Sequence, residues 1–210
     1  MMEIALFVAA ALVGYLLSAV NPAILLSRAV YGRDIRNEGS GNPGFTNFKR
    51  TFGNKLAWWV FLLDLLKAAL PTVGFAILFW WQMGAWQMGA AYTGLFCLLG
   101  HSYPVYYGFK GGKGVSVCLS VILVVDFRAG LIVAGVLVVL LLLFRYMSLA
   151  TTVALLSGPL WLWLFGGDLW AIILFGVAAL FVAARHWQNF GRLFRGEERK
   201  FNLFGKKKAK

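Results

Sequence analysis

The tightest constraint on this chain is the spacing of its apolar runs. Residues 4–27, 56–81, 87–107, 115–125, 129–144, 149–165 and 169–185 are each almost unbroken apolar stretches, separated by short polar segments. About 20 such residues cross a bilayer core as a helix, and in lipid a helix satisfies its own backbone polar groups. The expectation is an all-α integral membrane protein with seven transmembrane helices. Composition agrees, because 60% of the chain is hydrophobic and only 13% is charged, unlike an ordinary soluble domain. In 210 residues no room is left for a separate soluble unit, so residues 1–210 read as a single membrane domain with a basic cytoplasmic tail at about 198–210. Glu3 before the first run and Arg28, Arg33 and Arg36 after it are the wrong flanks for a cleaved signal peptide, so that run is expected to stay as an anchor.

In a soluble chain, a formal charge of +12 would point to nucleic acid. Here it reports orientation. Eighteen of the twenty Lys and Arg residues fall in segments 28–55, 108–114, 145–148 and 185 onward, which seven spans place on one side. By the positive-inside rule that side is the cytoplasm, with the N-terminus outside and the C-terminus inside. All nine Trp residues lie near span ends, as an interfacial belt expects. Cys97 and Cys118 sit inside apolar runs and read as packing residues. The tandem Trp81-Gln-Met-Gly-Ala and Trp86-Gln-Met-Gly-Ala repeat reads as a tolerant outer turn without chemistry. The fourth run is anomalous. Residues 115–125 make only about 16 Å of helix, roughly half the bilayer core, so the Gly-rich segment before it is expected to dip inward. Irregular backbone at that depth is tolerated only beside protein or a water-filled cavity.

Three polar clusters share the cytoplasmic side. The first, residues 38–50, sets Gly39, Gly41 and Gly44 among Ser40, Asn42, Thr46, Asn47 and Arg50. Such a loop can present amides to an anion, and it equally suits a flexible turn. The second runs from Gly100-His-Ser-Tyr-Pro104 to Gly108-Phe-Lys-Gly-Gly-Lys-Gly114 and resembles a phosphate cradle. It is not a nucleotide P-loop, since the glycine spacing before Lys113 is wrong and Val115 stands where Ser or Thr belongs. Snorkelling lysines are the plainer alternative. The third, residues 185–197, spaces His186, Asn189 and Arg192 so that a continuing helix would line them on one stripe. By itself that pattern also suits a solvated basic end. Asp64 and Lys67, three apart within the second run, are expected to pair with each other.

Taken together these residues resemble the acyl-phosphate-dependent glycerol-3-phosphate acyltransferases of bacteria, the PlsY family. The resemblance rests on Gly39-Ser-Gly-Asn-Pro-Gly-Phe-Thr-Asn47 with Arg50, on residues 100–115, on His186, Asn189, Arg192, Gly196 and Glu197, and on Arg145-Tyr-Met-Ser148 and Asp64-Leu-Leu-Lys67. Phe45 departs from it, standing where the family usually has a small residue. The resemblance implies transfer of a fatty acyl group from acyl phosphate to the 1-hydroxyl of sn-glycerol 3-phosphate, giving lysophosphatidic acid and phosphate. That is the first acylation of phospholipid synthesis. It implies an active site facing the cytoplasm in the bacterial inner membrane, and neither acyl-carrier protein, coenzyme A, nucleic acid, cofactor nor metal.

An activated donor needs two anions held together and the developing charges stabilised, more than it needs a nucleophile. Ser40, Lys110, His186 and Asn189 are expected to be catalytic. Lys110 with the Gly111 and Gly112 amides is assigned to acyl phosphate, with Ser40, Gly41, Asn42, Thr46, Asn47 and Arg50 completing the cradle. Ser148, beside Arg145, is expected to touch the same substrate. His186 and Asn189 are assigned to glycerol 3-phosphate, with Lys113 and Arg192 as electrostatic partners. The base is open between His101, His186 and, as the resemblance implies, the substrate phosphate itself. A small anion or lipid transporter would use the same basic pocket without chemistry, but it would favour an inverted repeat, and none is visible. A membrane scaffold with an electrostatic tail would explain Lys206–Lys210 and not the inward Gly and Lys cluster.

Overall fold

A computed structural model of the chain describes residues 1–202. It is helical, with no strand among the described residues: α1 (Met2–Ala19), α2 (Pro22–Tyr31), α3 (Phe45–Phe52), α4 (Asn54–Met83), α5 (Trp86–Ser102), α6 (Val115–Val125), α7 (Phe127–Phe144), α8 (Met147–Leu164), α9 (Leu169–Ala184) and α10 (Trp187–Phe194). Every apolar run folds as helix, but the runs do not make seven uniform rods. Met2–Tyr31, Asn54–Met83, Phe127–Phe144 and Met147–Leu164 are long and apolar enough to cross a membrane, and the bent α9 and α10 pair, taken as one span, would be a fifth. At 17 and 11 residues, α5 and α6 are shorter.

The first run is broken where the sequence reading had it continuous. Val20 is extended, Asn21 caps α2 by accepting the Ile24 amide at 3.0 Å, and Pro22 opens the new helix. The break frees a carbonyl on Val20, and Lys67 donates to it at 2.8 Å. Lys67 also pairs with Asp64 at 2.9 Å, as expected, and His101 approaches the same carboxylate at 3.5 Å. This charged group is buried, so each member neutralises another in place of lost water.

Without a hydrophobic drive between helices in lipid, close packing depends on small residues. On α5, Gly100 lies so close to α1 that a Cβ would strike the Tyr15 carbonyl, and Gly94 receives Val121 of α6. Short α6 is nearly all buried, held by α4, α5 and α7. Helix α5 stops at Ser102 because Pro104 disfavours helix in the residue before it. The following segment turns through Gly108 and Phe109, both at positive φ, and runs back along the end of α5. The Gly111 and Gly112 amides tie it to the Ser102 and His101 carbonyls, and α6 starts just after it.

Candidate active site

A cavity of about 1170 Å³ opens between α3, α4, α7 and the α9–α10 junction. Its polar lining includes Ser40, Asn42, Thr46, Arg50, Asp64, His101, Lys113, Ser148, His186, Asn189 and Arg192. Its apolar lining comes from Trp58 and Phe61 of α4, Leu119 of α6, and Leu137, Val138, Leu141 and Leu142 of α7. The three sequence clusters, separated by up to 150 positions, therefore share one chamber.

In the first cluster the Gly41 and Gly44 amides are spent internally. Asn47, buried, takes the Ser40 amide at 3.0 Å and donates to the Glu38 carbonyl at 2.9 Å, while the Gly41 amide goes to Glu38 and the Gly44 amide to Asn42. The Asn47 side chain, expected in the substrate cradle, thus braces the loop. The anion-binding capacity comes instead from α3. Its N-cap is Gly44, no side chain caps it, and the Phe45, Thr46 and Asn47 amides of the first turn have no partner among the described residues. Arg50, one turn along, makes no hydrogen bond among the described residues. Burial and the nearby Arg199 charge lower its pKa, yet a guanidinium stays charged.

The second cluster also differs from expectation. The Gly111 amide donates to the Ser102 carbonyl and the Gly112 amide to that of His101, both at 3.2 Å, so neither is left for acyl phosphate. Their missing side chains serve close approach, because a Cβ on Gly111 would meet the His101 carbonyl and one on Gly112 the His101 ring. Arg185 clamps the loop from α9 by donating to the Gly112 carbonyl at 2.9 Å. Lys110 lies outside the main cavity, in a neighbouring depression of about 600 Å³ with Asp34, Arg36 and Tyr107, which shares Gly41 with it. The turn through Phe109 separates the two lysines, and Lys113 is the one that enters the chamber, donating to the Asn189 amide oxygen. Burial, reinforced by Arg192 and Arg185 and opposed by Glu198, pulls the Lys113 pKa down to about 8.

Residues 185–194 do not form the single stripe expected. Helix α9 ends at Ala184, and α10 leaves at 53°. His186 sits in the bend with Nδ1 2.8 Å from the Val182 carbonyl. That carbonyl can only accept, so Nδ1 carries the proton and Nε2 is left as an acceptor. Burial and the Lys113 charge pull the His186 pKa down to about 4.

The group that sequence reasoning missed is Glu198. Its carboxylate accepts from Ser148 at 3.0 Å, Asn189 at 2.6 Å and Arg192 at 2.9 Å, tying α8 to α10 within the polar lining. Burial alone would raise its pKa, but the hydrogen bonds outweigh it and hold the group below the usual carboxylate range. Glu197, read from the motif, instead pairs with Arg195 at the surface. Arg145 is not among the cavity residues. Its main chain, at φ 61°, ends α7 and accepts the Phe201 amide at 2.6 Å. Glu198 and Phe201, within the expected tail, are thus anchored to the helices, while Lys206–Lys210 lies outside the described residues. Among the described residues no three His, Cys, Asp or Glu side chains come together as a metal site would require.

A helical membrane protein that sets Arg50, Lys113 and Arg192 in a cavity with apolar walls is suited to handle a phosphate group together with a hydrocarbon chain. Comparison with known proteins makes this specific. The pattern of the glycerol-3-phosphate acyltransferase family matches residues 8–196, and the chain belongs to that family. A glycerol-3-phosphate acyltransferase of Coxiella burnetii (strain Dugway 5J108-111) is 33% identical over 199 residues, covering 94% of this chain and 99% of the relative. One from Legionella pneumophila (strain Corby) is 34% identical, covering 95% of this chain and 70% of the relative. The crystal structure of PlsY (YgiH), an integral membrane glycerol 3-phosphate acyltransferase, in its glycerol 3-phosphate form superposes with a TM-score of 0.86 at 34% identity, covering 93% of this chain and 96% of that one. Its lysophosphatidic acid form gives 0.82 at 32% identity, covering 95% and 97%.

Proposed function

We propose that the protein transfers a fatty acyl group from acyl phosphate to the 1-hydroxyl of sn-glycerol 3-phosphate, releasing lysophosphatidic acid and phosphate without acyl-carrier protein or coenzyme A. The observation that carries this reading is one chamber lined both by cations, Arg50, Lys113 and Arg192, and by apolar walls. The α3 amides, Ser40, Thr46 and Arg50 suit the donor phosphate, and Lys113, Asn189 and Arg192 suit the acceptor phosphate. The hydroxyl oxygen attacks the acyl carbonyl carbon, the carbonyl–phosphate C–O bond breaks, and phosphate leaves with that electron pair. With its pKa pulled to about 4, His186 is too weak a base to hold the proton at neutral pH. Its Nε2 instead accepts from the hydroxyl and aims it. The proton passes to a phosphate oxygen, whose basicity lies near neutrality.

The same reading places seven helical segments in the bacterial inner membrane, with the N-terminus outside and the chamber open to the cytoplasm. It treats the chain as one membrane domain, and it keeps Lys110 as a peripheral cation that draws anions toward the mouth. The deciding test supplies purified protein in lipid with acyl phosphate and glycerol 3-phosphate. Lysophosphatidic acid and phosphate should appear in equal amounts, and acyl-coenzyme A should not replace the donor. Absence of product from acyl phosphate in a folded sample overturns the reading.

A further inference from the structure

Phe45 lines the chamber beside its polar groups. In the chain it stands between Gly44, which caps α3, and Thr46 on the polar wall. Its ring packs against Trp58 and Phe61 of α4, with centroids 5.0 and 5.5 Å away, and lies 6.2 Å from the ring of Phe201 in the C-terminal segment. It is also shared by two otherwise separate apolar clusters, one around Phe48 and Val60 under α2 to α4, the other around Leu141 and Ala150 between α7 and α8. The ring therefore bridges one wall of the chamber to the other at the first turn of α3. A chain whose phosphate sits on the α3 amides must pass it within its first carbons.

We propose that Phe45 is a specificity-determining residue: its ring limits the bulk of the acyl carbons next to the carbonyl, so the chamber takes straight-chain donors in preference to donors branched there. This rests on the reading of the chamber as an acyl phosphate site. A ring braced by Trp58, Phe61 and Phe201 cannot swing aside without unpacking its neighbours, and close-packed interiors resist added methyl groups.

The test compares a straight-chain acyl phosphate with an isomer branched beside the carbonyl, at constant glycerol 3-phosphate, in the wild type, Phe45→Leu and Phe45→Ala. The wild type should prefer the straight chain by about 10-fold in kcat/KM, and Phe45→Ala should narrow this to about 2-fold, with Phe45→Leu between them. KM for glycerol 3-phosphate should stay unchanged. A purely structural role would slow both donors alike, and an identical preference in wild type and Phe45→Ala overturns the proposal. If the alanine variant does not fold, Phe45→Leu decides by the same ratio. Thermal stabilisation by straight and branched alkyl phosphates reads the same preference without turnover. A shift in that ranking in a protein that makes no lysophosphatidic acid supports the role of Phe45 and sinks only the acyltransferase reading. Product formation with no shift in either ranking sinks only the role of Phe45.

Discussion

Two residues, Lys113 and Glu198, show how burial changes what a charged group can do in this chamber. Lys113 is a useful anion partner only while protonated, and its pKa of about 8 places its loss of charge just above neutrality. Because its pKa is lowered, the cationic form dominates below about 8 and disappears as pH rises through it. The expected outcome is an alkaline limb near pH 8 in kcat/KM for glycerol 3-phosphate, which Lys113→Arg moves out of range. An unchanged limb in that variant would clear Lys113 of the effect. Lys110→Ala should lower the rate much less than Lys113→Ala, since only Lys113 lies in the chamber. Glu198 holds Ser148, Asn189 and Arg192 together, so Glu198→Ala should leave three donors and a crowd of like charges unbalanced. A fall of about 10-fold in kcat/KM, equivalent to about 1.4 kcal/mol, is expected, with part of it restored in Glu198→Gln, which keeps the acceptor oxygen. Full activity in Glu198→Ala would show that Asn189 and Arg192 need no brace.

At the scale of elements, the segment after α5 couples the depth of α6 to the position of Lys113. It is a short hairpin lying on the last turn of α5, tied by the Gly111 and Gly112 amides and clamped by Arg185. Gly111→Ala puts a methyl group against the His101 carbonyl and 2.5 Å from Pro104 Cδ, so the hairpin must lift. The expected result is a raised KM for glycerol 3-phosphate, about 10-fold or more, as Lys113 and the start of α6 shift together. Wild-type KM and thermal stability would mean the hairpin has slack that the close approach does not show. The break between α1 and α2 belongs to the same scale: Lys67 fills the Val20 carbonyl that the break exposes, so the buried charges keep an interrupted helix in place.

Across the whole molecule, all three polar clusters contribute to one cavity, and the turns before α7 and α9 carry Arg128 with its partner Asp126 and the capping Asp168. A cysteine introduced as Arg128→Cys should react with a membrane-impermeant maleimide in intact cells, and Arg195→Cys should react only after permeabilisation. Cys97 and Cys118 are buried and leave the background low. The reverse pattern would invert the proposed orientation. The C-terminal segment also belongs to this scale, because Phe201 reaches back to Arg145 and to the Phe45 ring and so closes the chamber from a distant part of the chain.

The apolar runs, the short α6, the Asp64–Lys67 pair and the family were all legible in the sequence. Each rests on local physics: a run must match a helix, a lone charge in a helix must find a partner nearby, and motifs keep their order along the chain. What the sequence did not show is which groups meet. Periodicity cannot tell that α9 bends after Ala184, that Phe109 turns Lys110 out and Lys113 in, or that the glycine amides are already used. Glu198 and Phe201 read as the start of a tail because nothing local marks them, and only the approach of α8, α10 and α3 gives them partners. The sequence by itself determined a helical membrane protein of the glycerol-3-phosphate acyltransferase family, with polar Gly-rich motifs set between apolar runs. Tertiary structure alone decided which cations face the chamber, because long-range packing, not spacing along a helix, sets the partners of a buried charge.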